Sequence, residues 1–249
     1  MNILVCISSV PDTTSSINFT DNNQSLKTDG ITYVINPYDE FCLTKAVFLK
    51  ESSGAIITAI NVGSNLNDSI LRKALAIGAD KAIRINKEAK NSKLVAGCIV
   101  DYCTENKFDL IFCGRESIDY NGGKVPGFIA EKLNIPFING CVGLEIKNNI
   151  LELKREVDNG QELCTTSMPA LIAGQKGLVE EKDLRIPSMR GIMTARTKPL
   201  EIIESTLNFE NNISVLEYEK PLERTACKIF TEDEVEQLVD ALSNEAKVI

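Results

Sequence analysis

Short, largely apolar runs alternate along the first half of the chain with stretches whose apolar residues recur at helical spacing. Ile3 to Ile7, Ile56 to Val62 and Leu110 to Cys113 read as buried strands, and Lys81 to Ile85 as a shorter one. Between the first two, Asn36-Pro37-Tyr38-Asp39-Glu40 leads into a helix carrying Phe41, Leu43, Ala46, Val47 and Leu49. Asp39 is read there as an N-cap or first-turn residue. A second helix opens near Asn67 or Asp68, carries Ile70, Leu71, Ala74, Leu75 and Ile77, and stops at Gly78. Leu94 to Tyr102 lies in a third helix. Strand and helix alternating in this way predict an α/β fold: a doubly wound, mostly parallel sheet with helices on both faces.

Elsewhere the pattern differs. Residues 14–34 read as a surface hairpin, with Ile17 and Phe19 among polar residues and a turn at Asp21-Asn22-Asn23. After Ile135-Pro136, Leu144 to Ile146, Ile150 to Leu153 and the run to Val157 predict antiparallel strands turning at Asn148-Asn149 and Asp158-Asn159-Gly160. Ala170 to Ala173 is a further strand. Gly174 to Pro199 is a long charged segment with Leu178, Ile186, Met189, Ile192 and Met193 scattered through it, which leaves a functional and a merely solvated loop both open. Residues 200–230 show no clear helix. Thr231-Glu232-Asp233-Glu234 is a capping box opening a terminal helix with Val235, Leu238, Val239 and Leu242 on one face. That helix either folds back on its own core or clasps another chain.

The stretch with the richest chemistry is Phe108 to Leu133. A strand ends at Gly114, and a polar loop follows with Arg115, Glu116, Ser117, Asp119, Asn121, Gly122, Gly123 and Lys124. Pro126 suits the first turn of a helix whose apolar face carries Phe128, Ile129 and Leu133. Strand, glycine loop and helix N-terminus together suit a phosphate, because exposed amides and the helix dipole favour an anion. The loop is neither a Walker A sequence nor GxGxxG, so a plain tight turn stays open beside the phosphate reading. Its length, beyond the usual roughly 2–6 residues of such connections, favours function. The loops after Ile7, after Val62 and after Cys113 are expected at one sheet edge, where they would frame a nucleotide site.

Composition narrows the classes. The 249 residues are 43% hydrophobic and 25% charged, as in an ordinary globular protein, and the formal net charge of −8 disfavours nucleic acid. No apolar run has the length of a membrane span, and the N-terminus reads as a first strand rather than a signal peptide. The eight cysteines form no CxxC pair and read as reduced core thiols. The absence of histidine removes Ser-His-Asp and Cys-His catalysis and histidine-ligated metals. A stand-alone adenine-nucleotide-binding enzyme or sensor stays possible on the same sheet.

A series of ordered segments then narrows the reading: Val5-Cys6-Ile7 with Val10-Pro11-Asp12, Thr28-Asp29-Gly30, Ile35 to Glu40, Arg72 to Asp80, Asp109 to Ile111 with Gly114-Arg115, Ile118-Asp119, Arg155 to Asp158, Pro169-Ala170, and Arg190 to Met193 with Ala195-Arg196. In this order they resemble the β subunit of electron transfer flavoprotein over nearly the whole chain. The resemblance implies an adenine-nucleotide-binding α/β domain of the HUP type over residues 1–199, with a partner-docking loop near 174–199, and an arm and amphipathic helix over 200–249 that pack on an α subunit. It implies FAD held mainly by that α subunit and a second nucleotide in this chain, AMP or a second FAD. Adenosine would contact Cys6, Ser8, Asn36, Pro37, Tyr38, Asp39 and Val62. Phosphate would lie against Gly114, Arg115, Glu116, Ser117, Ile118, Asp119, Tyr120, Asn121, Gly122, Gly123, Lys124 and Val125. Met189, Arg190, Ile192, Met193 and Arg196 would dock acyl-CoA-type and other flavin dehydrogenases, and electrons would pass to a downstream quinone oxidoreductase. The expected role is a cytoplasmic electron carrier subunit, not itself an enzyme. A flavin in this chain's own site would instead make it part of an electron-bifurcating, NADH-linked flavoprotein.

Overall fold

In the computed structural model, residues 1–20, 22–209, 214–222 and 227–249 are described. Asp21 of the expected hairpin turn, and residues 210–213 and 223–226 of the expected arm, lie outside them. The described residues divide into two compact units, one of residues 1–18 with 27–214 and one of residues 19–26 with 215–249.

The larger unit holds eleven strands: β1 (Asn2–Cys6), β2 (Ser9–Pro11), β3 (Tyr33–Ile35), β4 (Ile56–Gly63), β5 (Lys81–Asn86), β6 (Leu110–Gly114), β7 (Phe137–Lys147), β8 (Ile150–Val157), β9 (Gly160–Ser167), β10 (Ala170–Gly174) and β11 (Leu200–Glu204). Its helices are α1 (Pro37–Ser53), α2 (Asp68–Ile77), α3 (Ser92–Glu105), α4 (Val125–Leu133) and α5 (Met189–Ala195). Nine strands form one sheet in the order β11-β5-β4-β1-β6-β10-β7-β8-β9. Pairings from β11 through to β7 are parallel, while β7-β8 and β8-β9 are antiparallel. β2 and β3 make a separate antiparallel pair.

The apolar runs are buried on both faces. Ile3, Val5, Ile57, Ala59, Leu110 and Phe112 join α1 and α2 residues such as Leu43, Ala46, Leu71 and Leu75 in one core. Their alternates Leu4, Cys6, Ile60, Val62, Ile111 and Cys113 join Leu94, Ile99, Ile129 and Ala130 of α3 and α4 in the other. This is the doubly wound α/β architecture, and it explains why the strands read as continuous rather than alternating.

Three features extend the sequence reading. The segment 174–199 carries the short helix α5, capped where Ser188 Oγ accepts the Gly191 amide at 3.0 Å. Residues 200–204 form edge strand β11, register-matched to Ala82–Asn86. β9 completes a meander whose first turn is made by Asn148 and Asn149 at φ 50° and 63°. At Gly78 the φ of 161° is extended backbone. Space decides that position, since a Cβ there would sit 2.6 Å from Val47 Cγ2.

In the smaller unit the Phe19 and Tyr218 rings stack at 5.1 Å, and the Tyr218 amide donates to Asn23 O at 2.8 Å. Its terminal helix begins as expected: the Thr231 amide donates to Glu234 Oε2 at 2.9 Å. A single 3-10 turn then leads into α6 (Val235–Asp240). No helix among the described residues is long and apolar enough to cross a membrane.

Candidate functional site

The sheet order reverses beside β1: chain progress through β4 and β5 lies on one side, β6 and β10 on the other. Ligands of open α/β sheets meet the crevice at such a switch point, beyond the carboxyl ends of the strands. Here Asp39 occupies it. Its Oδ2 accepts the Ser8 amide beyond β1 at 2.7 Å, and its Oδ1 accepts the Gly114 amide at the end of β6 at 2.7 Å. The N-cap position of α1 belongs to Asn36, which makes no side-chain cap bond. Asn36 instead sends Nδ2 to Glu116 O at 2.9 Å and accepts the Ile118 amide on Oδ1 at 3.2 Å. Its own amide donates to Ser8 O at 3.0 Å. Asp39 is therefore a first-turn residue whose carboxylate ties separate strands rather than capping its helix.

Burial sets the charge state of this tie. Asp39 is 3% exposed, and loss of water raises its pKa to about 7 against the amide and Asn36 hydrogen bonds, which pull it down. Neighbouring thiols bring no positive charge. Burial, and the Asp39 charge after it, push Cys42 well up. Cys113 is likewise raised, first by its hydrogen bond with Cys6 and then by burial.

The structure thus joins Ser8, Asn36, Asp39, Gly114, Glu116 and Ile118 directly. Cys6 and Val62 lie on the same face of neighbouring strands, 8% and 7% exposed, at the sheet's carboxyl edge. Gly114 fits because a Cβ would lie 2.5 Å from Asp39 Oδ1 and 2.7 Å from Tyr38 Cβ. Beyond it Arg115 turns to β10, giving Nη1 to Gln175 Oε1 at 2.9 Å. Ser117 O accepts the Asn121 amide at 2.8 Å, and Asp119 Oδ1 accepts the Tyr120 amide at 2.9 Å. Asn121 and Gly123 adopt left-handed φ of 48° and 58°. The amides of Gly122, Gly123, Lys124 and Val125 then lead into α4 with no protein acceptor among the described residues; the first three residues are exposed and Val125 is half-buried. Lys124 is exposed and forms no ion pair among them.

Four open amides, a free lysine and a helix N-terminus make a donor set that fits a phosphate. No group of acidic, cysteine or histidine residues among the described residues is arranged to hold a metal.

Two supports escaped the sequence reading. Asn61 on β4 donates Nδ2 to Ile7 O at 2.8 Å and accepts Asn67 Nδ2 at 2.9 Å. Arg84 on β5, 4% exposed, meets Asp68 Oδ1 at 2.6 Å, Asn86 Oδ1 at 2.7 Å and Gly63 O at 3.2 Å. Both are polar residues inside apolar strand runs, which is the signal that marks them.

Met189, Arg190, Ile192, Met193 and Arg196 form a second group on and just after α5. Met189, Met193 and Ile192 are 79%, 68% and 43% exposed. Arg72, Lys73, Ala76, Pro187, Ile192, Ala195 and Arg196 line a groove of about 530 Å³ between α2 and α5.

Fold and switch-point crevice together define a doubly wound α/β protein with its polar loops gathered at one edge. A family model described as "Electron transfer flavoprotein domain" matches residues 25–208. The electron transfer flavoprotein subunit beta of Bacillus subtilis (strain 168) is 35% identical over 262 residues, covering 100% of both chains. That of Syntrophomonas wolfei is 31% identical, covering 100% of this chain and 98% of the relative. The acryloyl-CoA reductase electron transfer subunit gamma of Anaerotignum propionicum is 29% identical over 82% of this chain and 78% of its own. The chain belongs to the electron transfer flavoprotein β-subunit family.

Proposed function

We propose that this chain is the carrier β subunit of a heterodimeric electron transfer flavoprotein. It holds AMP at the switch-point crevice and pairs with an α subunit that holds most of the FAD. The names of these three relatives, each an electron transfer subunit, support the carrier role over a stand-alone enzyme. The observation that carries the nucleotide reading is the row of open amides at Gly122 to Val125, beside loops fastened by Asp39.

In this reading Cys6, Ser8, Asn36 to Asp39 and Val62 form the wall for adenosine, and the loop from Gly114 to Val125 takes the phosphate. Asp39 fixes the spacing of the walls, and Asn36 holds the phosphate loop by Glu116 O and Ile118 N. The FAD supplies the redox chemistry when bound. This chain's residues bind, orient and present a docking surface on α5, where exposed methionines adapt to several flavin dehydrogenases and Arg190 and Arg196 steer acidic partners. The exposed Val235, Leu238 and Val239 of the terminal helix would pack on the α subunit.

Nucleotides released on denaturing the co-expressed complex test this, quantified by chromatography. One FAD and one AMP per heterodimer is the expected result. Two FAD would reassign the site to a bifurcating flavoprotein. ATP on this chain alone, with neither AMP nor FAD, would overturn the carrier reading.

A further inference from the structure

Helices α2 and α5 are joined by two cations that exchange helix ends. Arg72, on α2, directs Nη1 to Ala195 O at 2.7 Å and Lys198 O at 2.8 Å, at and just beyond the end of α5. Lys198, past α5, returns Nζ to Leu75 O at 2.9 Å and Ala79 O at 2.6 Å, at the end of α2. Terminal helix carbonyls lack intrahelical donors and carry the negative end of the dipole, so each cation meets groups that need one.

The two helices also touch closely at Gly191. A Cβ there would lie 2.4 Å from Ala76 O, a backbone atom with no freedom to swing aside. Ala195 is buried in the core that α2 serves, while Met189 and Met193 point to solvent. At seven residues, α5 is too short to hold its own shape in water. Its orientation is therefore imposed by α2.

We infer that Arg72 and Lys198 are positioning residues for docking: they hold α5 so that Met189, Ile192 and Met193 meet an electron-donating flavin dehydrogenase in one orientation. This rests on the docking reading of α5 given above. A preorganised element binds without an ordering cost that a loose one incurs. Both cations are already engaged with carbonyl oxygens, so they act through α5 rather than on the partner.

The test uses the co-expressed heterodimer and a flavin dehydrogenase chosen because it reduces the wild-type complex. Arg72→Gln and Lys198→Gln are expected to raise KM for the dehydrogenase about tenfold with kcat unchanged, and Arg72→Lys to recover part of the loss. The dependence of KM on ionic strength stays at the wild-type slope, and hydrogen exchange quickens at amides 189–197 while that of the central strands does not change. Met189→Glu serves as the control for docking and raises KM by itself. If Met189→Glu raises KM and the two Gln variants leave it unchanged, the positioning role is wrong although α5 docks. A reduced salt slope in the Gln variants overturns it too, by making these cations direct contacts. If Met189→Glu has no effect, the docking reading itself has failed. Should Arg72→Gln not fold, Lys198→Gln and Gly191→Ala, which displaces α5 from Ala76, decide by the same criteria.

Discussion

Asp39 and Gly114, far apart in sequence, meet at the switch point: the Gly114 amide donates to Asp39 Oδ1 at 2.7 Å, and Cα of Gly114 leaves no room for a side chain beside that carboxylate. One acid thus fixes the relation of β6 to the start of α1, and through Ser8 the relation of both to β1. The candidate nucleotide loops hang on this contact.

That placement gives stability a pH dependence. A carboxyl with its pKa raised from 3.8 to about 7 favours the folded state while protonated. Its contribution is complete below about 4 and is lost as pH rises through about 7, a change of order 4 kcal/mol across the window. Asp39→Asn removes the titration but presents an NH₂ to one of the two amides, leaving a buried donor without a partner at roughly 1–3 kcal/mol. Thermal melts from pH 4 to 8 should show this contribution to the slope in the wild type and its loss in Asp39→Asn. An identical slope in both would remove Asp39 as the titrating group.

Gly122 and Gly123 make a paired test of the phosphate loop. Gly123 has φ 58° and a built Cβ would lie 3.4 Å from Arg115 O, whereas Gly122 has nothing within 4 Å. Gly123→Val forces a β-branched residue into the left-handed region at roughly 1–3 kcal/mol and shifts the amides beside it. Gly122→Ala adds a methyl in open space. Nucleotide content of the purified complex should fall at least severalfold in Gly123→Val and stay near wild type in Gly122→Ala. Equal retention in both would argue against a phosphate on this loop.

The central strands β1, β4, β5, β6 and β10 were legible because burial on both sides leaves a largely apolar run, whereas β9 and the edge strand β11, mostly exposed, carry no such run and were not. The change from strand to loop to helix around Gly114 and Val125 was legible from the apolar run, Gly122-Gly123 and Pro126. The role of Asp39 was not, because a residue at a helix start reads as a cap until the distant amides it meets are known. Arg84 and Asn61 carried a signal, polarity inside a buried strand, yet local pattern does not say that Asn61 meets Ile7 and Asn67, or that Arg84 meets Gly63, Asp68 and Asn86. α5 was missed because a seven-residue helix held by Arg72 and Lys198 needs little periodicity of its own. Its stability comes from α2.

Thiol reactivity should separate sharply along the chain. Cys6, Cys42, Cys98, Cys103, Cys113 and Cys141 are buried, Cys164 is half-buried and Cys227 is exposed. Burial raises Cys103 to about 12 and Cys141 to about 11, so little reactive thiolate exists there near neutral pH. With an aromatic disulfide reagent at pH 8, Cys227 should react first and Cys164 more slowly, and the other six only on unfolding. Rapid labelling of Cys42 or Cys113 in the native protein would mean that the crevice opens widely.

The terminal helix gives a test of assembly. Val235, Leu238 and Val239 are 59%, 38% and 48% exposed, an apolar face at helical spacing that costs free energy in water. Burying it on the α subunit would remove that cost at about 25 cal/mol for each Å² covered. Leu238→Glu places a charge on this face while leaving the Thr231–Glu234 capping bond in place. The heterodimer should then dissociate on dilution at a concentration at least tenfold above wild type, as read by analytical ultracentrifugation. Deletion from Thr231 onward should weaken it further. The main melting transition of this chain without its partner should change little in either variant, since the larger unit contains none of these residues. A heterodimer equally tight in all three proteins would place the α-subunit contact elsewhere.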